Sequence, residues 1–201
     1  MPSRNVVREY VPESYYHVYN RGIEKRRVFL DAQDYNVFLS YVRRHLCVES
    51  EADSQGRLYT HYDSVDLLAY CLMPNHFHLM LHAHEDPSQI AKLMQSVCIA
   101  YSMYFNKRYK RVGNLFQSRF KAARVSNESY LQHISRYIHL NPTDYKNWQW
   151  SSLAYYLGEK SADWVHPDTI LAMFNGDYKK FLDEYREQKS MLDIVKKEIG
   201  T

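Results

Sequence analysis

The chain has 201 residues, 45% of them apolar and 24% charged, with a formal net charge of +3, proportions that suit one globular domain with a proper core. No run of about 18 apolar residues occurs, and the N-terminal MPSRNVVREYVPESYYHV has no apolar stretch of the signal-peptide kind, so neither a membrane span nor a secretory leader is expected. Cys47, Cys71 and Cys98 are far apart and form no CxxC pair, which argues against a disulfide framework or a cysteine zinc site and for a reducing, cytoplasmic setting.

In chain order, SYYHVYN (14–20) is aromatic and β-branched and ends at Arg21-Gly22, the pattern of a strand and turn. Asp31 or Asp34 can cap a helix to about Cys47, with Val37, Phe38, Tyr41, Val42 and Leu46 as its apolar stripe. ESEADSQGR (49–57) reads as a loop. VDLLAYCLM (65–73) predicts a second strand, broken by Pro74-Asn75, and His76 to His84 a third, antiparallel to it. Pro87-Ser88 open a long helix to about Arg108. LFQSRFKAARV (115–125) predicts a fourth strand region, and Ser126 or Asn127 caps a helix from Glu128 to about Leu140, stopped before Pro142.

The order β-α-β-β-α-β followed by a helix is that of an α+β, ferredoxin-like split-βαβ (RRM-like) antiparallel sheet, with helices on one face and the other available for a ligand. The main domain is expected over residues 1–147. Residues 148–201 carry two or three short helical patterns, such as TILAMF and DYKKFLDEYREQK, and read as a helical C-terminal extension packed on the same domain.

Charge is unevenly placed. Between Pro87 and Asn127 there is no acidic residue, but there are Lys92, Lys107, Arg108, Lys110, Arg111, Arg119, Lys121 and Arg124. Aromatic residues are interleaved with them, and Arg21, Lys25, Arg26 and Arg27 form a second basic cluster. Such a window suits a polyanion with stackable bases, and equally a solvated basic face.

In MPNHFHLML (73–81), strand alternation sends Phe77, Leu79 and Leu81 to one face and His76 and His78 to the other. Two imidazoles about 6.6 Å apart at Cα can converge on one ion, and the same pattern fits two ordinary surface histidines. In SRYIHLNP (135–142), Tyr137 and Asn141 are four residues apart and share a helix face. Read alone, they also fit a rim aromatic and a C-terminal cap. The chain contains 19 tyrosines, so a catalytic role for any one of them needs positional support.

With the segments YHVYNRG (16–22), MPNHFHLML (73–81), GNLFQSRF (113–120) and RYIHLNP (136–142) in this order, the sequence resembles the HUH-type single-tyrosine transposases, most closely the REP-associated tyrosine transposase branch. HxH alone is weakly specific, whereas the four segments in order are highly specific. The resemblance implies that His76 and His78 are the metal-binding pair and that Tyr137, on an extra catalytic helix, is the nucleophile. It also implies that Asn141 stands where relatives place a third, amide-type ligand, an asparagine here being shorter than the glutamine of some of them. The activity implied is cleavage of single-stranded DNA by tyrosine attack, with a 5′-phosphotyrosine intermediate, a free 3′-hydroxyl and a divalent Mg²⁺ or Mn²⁺ cofactor. The implied partner is a hairpin-forming, REP-type single strand. Arg21, Lys107, Arg108, Lys110, Arg111, Arg119, Lys121 and Arg124 are the candidate DNA contacts, with Arg119, Lys121 and Arg124 on the fourth strand. A monomer is favoured, a homodimer being the other arrangement. The rival readings are a non-catalytic single-strand-binding module of RRM-like fold and a metal-dependent hydrolase with water as nucleophile. The first leaves the histidine pair without a task, and the second lacks carboxylates beside it.

Overall fold

A computed structural model describes residues 10–47, 61, 63–174 and 177–184. The loop expected over 49–57 lies outside these residues. The elements run β1 (Ser14–Arg21), α1 (Ala32–Leu46), β2 (Val65–Met73), β3 (His76–Ala83), α2 (Ser88–Arg108), β4 (Lys121–Val125) and α3 (Glu128–His139). Three short helices follow: α4 (Leu153–Tyr156), α5 (Asp168–Leu171) and α6 (Tyr178–Asp183). The strands make one antiparallel sheet in the order β2-β3-β1-β4, the order of a split βαβ unit in which β1 and β3 occupy the centre.

One face of the sheet packs on α1 and α2. Tyr16 and Val18 of β1, Leu67 and Leu72 of β2, and Phe77, Leu79 and Leu81 of β3 are buried in one cluster with Phe38, Val42, Leu93, Val97 and Tyr101. Each such side chain stabilises the fold by roughly 1.5–3 kcal/mol relative to exposure. The capping expected from sequence is present: Asp31 accepts from the amides of Gln33 and Asp34, and Asn127 accepts from Tyr130 N.

Two expectations are corrected. The fourth strand is only KAARV (121–125); Leu115 and Phe116 are buried in the loop before it, where a single antiparallel bridge from Phe116 to Gly22 is the extent of the pairing. The second sheet face is not left bare. There α3, the extension and Met80 of β3 share a second cluster that includes Leu131, Ile134, Tyr137, Ile138, Leu153, Tyr156, Ile170, Tyr178 and Leu182.

The loop before β4 is pinned to the end of β1. Ile23 N donates to Leu115 O at 3.0 Å, Gln117 N to Arg21 O at 2.9 Å, and Asn20 Nδ2 to Ser118 O at 3.0 Å. Gly22 pairs with Phe116 and donates to Asn75 O at 2.9 Å. A Cβ at Gly22 would lie 2.3 Å from Arg26 O and 2.8 Å from Val28 Cγ1, so the close approach of backbone excludes any side chain. Three of the four sequence segments thus meet at one corner of the sheet.

A buried carboxylate ties α1 to α2. Asp34 is fully buried and accepts from Leu30 N at 2.8 Å, Tyr104 OH at 3.0 Å, Tyr109 OH at 2.9 Å and Arg108 Nη1 at 2.6 Å. Replacement Asp34→Ala is expected to cost about 3 kcal/mol, the low end for breaking a buried pair because Arg108 keeps some solvent. For a chain of this size that is a fall in Tm of roughly 6–12 °C, measurable by calorimetry.

Candidate active site

Both strands that supply the site's imidazoles are central, and their register fixes which side chains meet. Arg21 lies opposite His76, and Tyr19 opposite His78. His17, Tyr19, His76 and His78 therefore share the face that α3 crosses. α3 is held from behind. His139 contacts Tyr178 OH through Nδ1 and Ser152 Oγ through Nε2, both at 2.8 Å. Tyr178 OH donates to Ser135 Oγ at 3.0 Å. The Arg136 guanidinium reaches Phe181 O at 3.2 Å and stacks 4.2 Å over the Phe181 ring. Consecutive residues of RYIHLNP hence serve different directions: Arg136 and His139 face the extension, Ile138 fills the core, and Tyr137 with Asn141 face the histidines.

The Tyr137 ring stands edge-on to His78 at 5.3 Å between centroids and to His17 at 6.0 Å. It is 3% exposed, so it sits inside the seam between helix and sheet and not at the rim, the alternative that its sequence position left open. Asn141 Oδ1 lies 3.2 Å from His76 Nε2, while His76 Nδ1 contacts Asn75 Oδ1 at 2.6 Å. A neutral imidazole has one N–H. If Nδ1–H donates to Asn75, the Nε2 lone pair faces the Asn141 oxygen, and a cation between them relieves the opposition of two acceptors. Two cis ligands of a hexacoordinate ion at about 2.1 Å are separated by about 3.0 Å, close to the spacing present. His78 Nε2 is buried with no hydrogen-bond partner among the described residues, as an atom reserved for a metal would be. Two imidazole nitrogens and an amide oxygen are a donor set that a divalent ion accepts.

His17 was not singled out in the sequence. Its Nε2 lies 2.9 Å from His78 Nδ1, so it sets which ring nitrogen of His78 keeps a lone pair, the role an outer partner plays for a metal-ligating histidine. The available signal was parity: His17 and Tyr19 alternate with Tyr16 and Val18 just as His76 and His78 alternate with Phe77 and Leu79. Asn75, read only as a strand breaker, orients His76 in the same way.

Burial keeps these rings neutral. Desolvation holds His17 down to about 3 and, with the Arg21 charge added, His76 to about 4. Desolvation and then the neighbouring His17, His76 and Arg21 push His78 well below its ordinary value. His139, enclosed by the extension, falls to about 3 through burial.

The basic candidates divide. Arg21 is beside His76, and the Lys121 ammonium is 5.7 Å from the Tyr19 ring centroid, so both belong to the site face. Arg119 is exposed in the loop before β4 and not on the strand. Arg124 pairs with Tyr16, which places it on the α1/α2 side. Lys107 and Lys110 are exposed at the end of α2. Arg111 is turned onto Asn106 Oδ1 at 3.1 Å and the Phe105 ring. Arg108 forms ion pairs with Asp31 at 2.7 Å and Asp34 at 2.6 Å, so its charge is matched within the protein.

The family model of the IS200-like transposases matches residues 10–141, which include every element and side chain of the site. The chain belongs to the IS200-like transposase family. Among solved structures it is similar to a REP-associated tyrosine transposase bound to a REP hairpin, with a TM-score of 0.51 and 16% identity over 80% of this chain and 90% of that one. A Deinococcus radiodurans protein described as a transposase aligns at a TM-score of 0.40 and 20% identity, covering 66% of this chain and 93% of its own. No curated protein matches. Among the described residues no helix is long and apolar enough to cross a membrane.

Two measurements follow from the imidazoles. A histidine whose folded pKa is depressed takes up its proton in the unfolded chain first, so its stabilising contribution is complete above about 6.5 and is lost as pH falls toward the folded value. Stability should fall by roughly 2 kcal/mol between pH 7 and pH 5 for each such ring, nearly all of it below about pH 6.5; His139→Gln should flatten that fall in pH-dependent urea titrations. Replacement His17→Ala should weaken Mn²⁺ binding by about 10–100-fold without abolishing it, read by electron paramagnetic resonance of free Mn²⁺.

Proposed function

We propose that this transposase nicks and rejoins single-stranded DNA through a covalent bond to Tyr137. The observation that carries the proposal is the unpartnered Nε2 of His78 beside the His76–Asn141 contact, with the Tyr137 ring against His78. His76, His78 and Asn141 hold Mg²⁺ or Mn²⁺; when bound, the ion neutralises charge on the scissile phosphate and orients it. Asn75 and His17 keep the two ligating rings in place from behind. Arg21 and Lys121 lie on the face where the strand would pass and attract its phosphates.

The Tyr137 phenolic oxygen forms a bond to phosphorus as the P–O3′ bond breaks. The phenol loses its proton to water, the departing oxygen becomes a 3′-hydroxyl, and the 5′ phosphate remains on the tyrosine. Because one phosphodiester replaces another, the reverse attack by a 3′-hydroxyl rejoins strands with no further energy source. Tyr137 and both histidines come from one chain, which supports a monomer acting on its own bound strand. The exposed Lys107, Lys110, Arg119 and Arg124 remain available for the phosphates of a hairpin beyond the site. The REP-associated relative bound to a REP hairpin supports a hairpin-bearing single strand of that type as the DNA.

Incubation with end-labelled hairpin-bearing single strands and Mn²⁺ should give a protein–DNA adduct that survives denaturation. Tyr137→Phe should remove the adduct while leaving hairpin binding within about twofold. His78→Ala should lower cleavage by at least about 10²-fold, the scale of losing metal-supplied charge stabilisation. Cleavage without an adduct would instead support water as the nucleophile, and an adduct persisting in Tyr137→Phe would exclude Tyr137.

A further inference from the structure

β3 carries a second group of ligating side chains at its other end. Glu13 precedes β1, Asp66 is the second residue of β2, His82 is near the end of β3, and His84 lies just beyond it. Strand pairing brings them together: Ser14 and Val65 both lie opposite Ala83, and Asp66 lies opposite His82. One ligand atom each from Glu13, His82 and His84 falls within 4.8 Å of the others. His82 is four residues from His78, about 13 Å along a strand, so this group is separate from the catalytic candidates.

The protons of this cluster do not satisfy its acceptors. Asp66 Oδ2 lies 3.0 Å from His84 Nε2 and 3.7 Å from His82 Nδ1, and its other oxygen is 4.0 Å from His166 Nε2. With the Nδ1 edge of His82 turned to Asp66, Nε2 faces the Glu13 carboxylate at 3.5 Å. In a neutral ring bearing its proton on Nδ1, that is one lone pair opposed to another. Among the described residues, neither Glu13 nor Asp66 has an ion pair with lysine or arginine. Both carboxylates therefore face imidazoles and no fixed cation among the described residues. Tyr15 lies against the His82 ring at 4.7 Å and limits its rotation. The side chains of Glu13 and His84 are 63% and 34% exposed, so an ion can reach the site and water can complete its shell.

We propose that Glu13, His82 and His84 bind a Zn²⁺ ion, with Asp66 orienting the imidazoles from behind. Two nitrogens and a carboxylate oxygen, with a fourth position left to water, form a donor set zinc accepts readily, and the carboxylate behind histidine is a usual outer partner. The ion joins the approach to β1 with the end of β3 and, through Asp66, the start of β2. It acts as a clamp on the sheet at the end away from the catalytic candidates.

The test begins with His76→Ala/His78→Ala protein, freed of metal by chelation, so that only the second group remains. Titration with Zn²⁺ by calorimetry, and with Co²⁺ by visible absorbance, should show one equivalent bound. Adding Glu13→Gln or His84→Gln should weaken that binding at least tenfold. The unaltered protein, titrated in parallel, should bind two equivalents of Zn²⁺, and its single variants Glu13→Gln and His84→Gln only one with undiminished affinity. Zn²⁺ at a hundred times the Kd of this site should raise the Tm of His76→Ala/His78→Ala protein by roughly 5–10 °C, a rise that Glu13→Gln or His84→Gln removes. Absence of Zn²⁺ uptake by folded His76→Ala/His78→Ala protein would overturn the proposal. Uptake that Glu13→Gln and His84→Gln leave unchanged, in either background, would overturn it as well.

Discussion

Burial of β3 on both faces is the constraint on which the site depends. A strand with one open face can place polar residues toward water at little cost. β3 has α1 and α2 on one side and α3 with the extension on the other, so each polar side chain on it must find a partner or hold something. Phe77, Leu79 and Leu81 meet that demand through apolar packing. His78 meets it on one nitrogen through His17 and leaves the other unpaired. An unsatisfied buried polar atom costs about 1–3 kcal/mol, a cost that the metal ligation proposed for His78 would offset.

The C-terminal extension has a structural part in this arrangement. α3 would otherwise present a polar back formed by His133, Ser135, Arg136 and His139. The extension covers that back with Ser152, Tyr178 and Phe181 and supplies a partner for each His139 nitrogen. Fixing α3 from behind fixes the height and rotation of Tyr137 and Asn141 in front. The distance between tyrosine and histidine is thus set partly by residues far along the chain that touch neither.

The basic residues of the window and of the cluster after β1 separate into groups with different surroundings. Arg108 serves the Asp31–Asp34 cluster and secures α2 on α1. Arg21 and Lys121 serve the site face. Arg119 and Arg124 lie within three residues of Lys121, yet one is exposed in the loop before β4 and strand alternation puts the other on the opposite face. A run of one charge in sequence was therefore not one surface in space.

The sequence by itself determined the split-βαβ order of elements, the opposed faces of β3 and the helix bearing Tyr137; Asn141, expected on the face of that helix, lies just past its C-cap Leu140. These follow from short-range periodicity, capping and turn chemistry, which act over a few residues. Only the tertiary structure decided that His17 partners His78, that Asn75 orients His76, that Tyr137 is enclosed, that Leu115 and Phe116 pack from a loop, and that Arg108 is internally paired. Each of these depends on contacts between residues tens of positions apart. Such contacts are fixed by strand register and by which face a helix covers, and no local pattern carries that information.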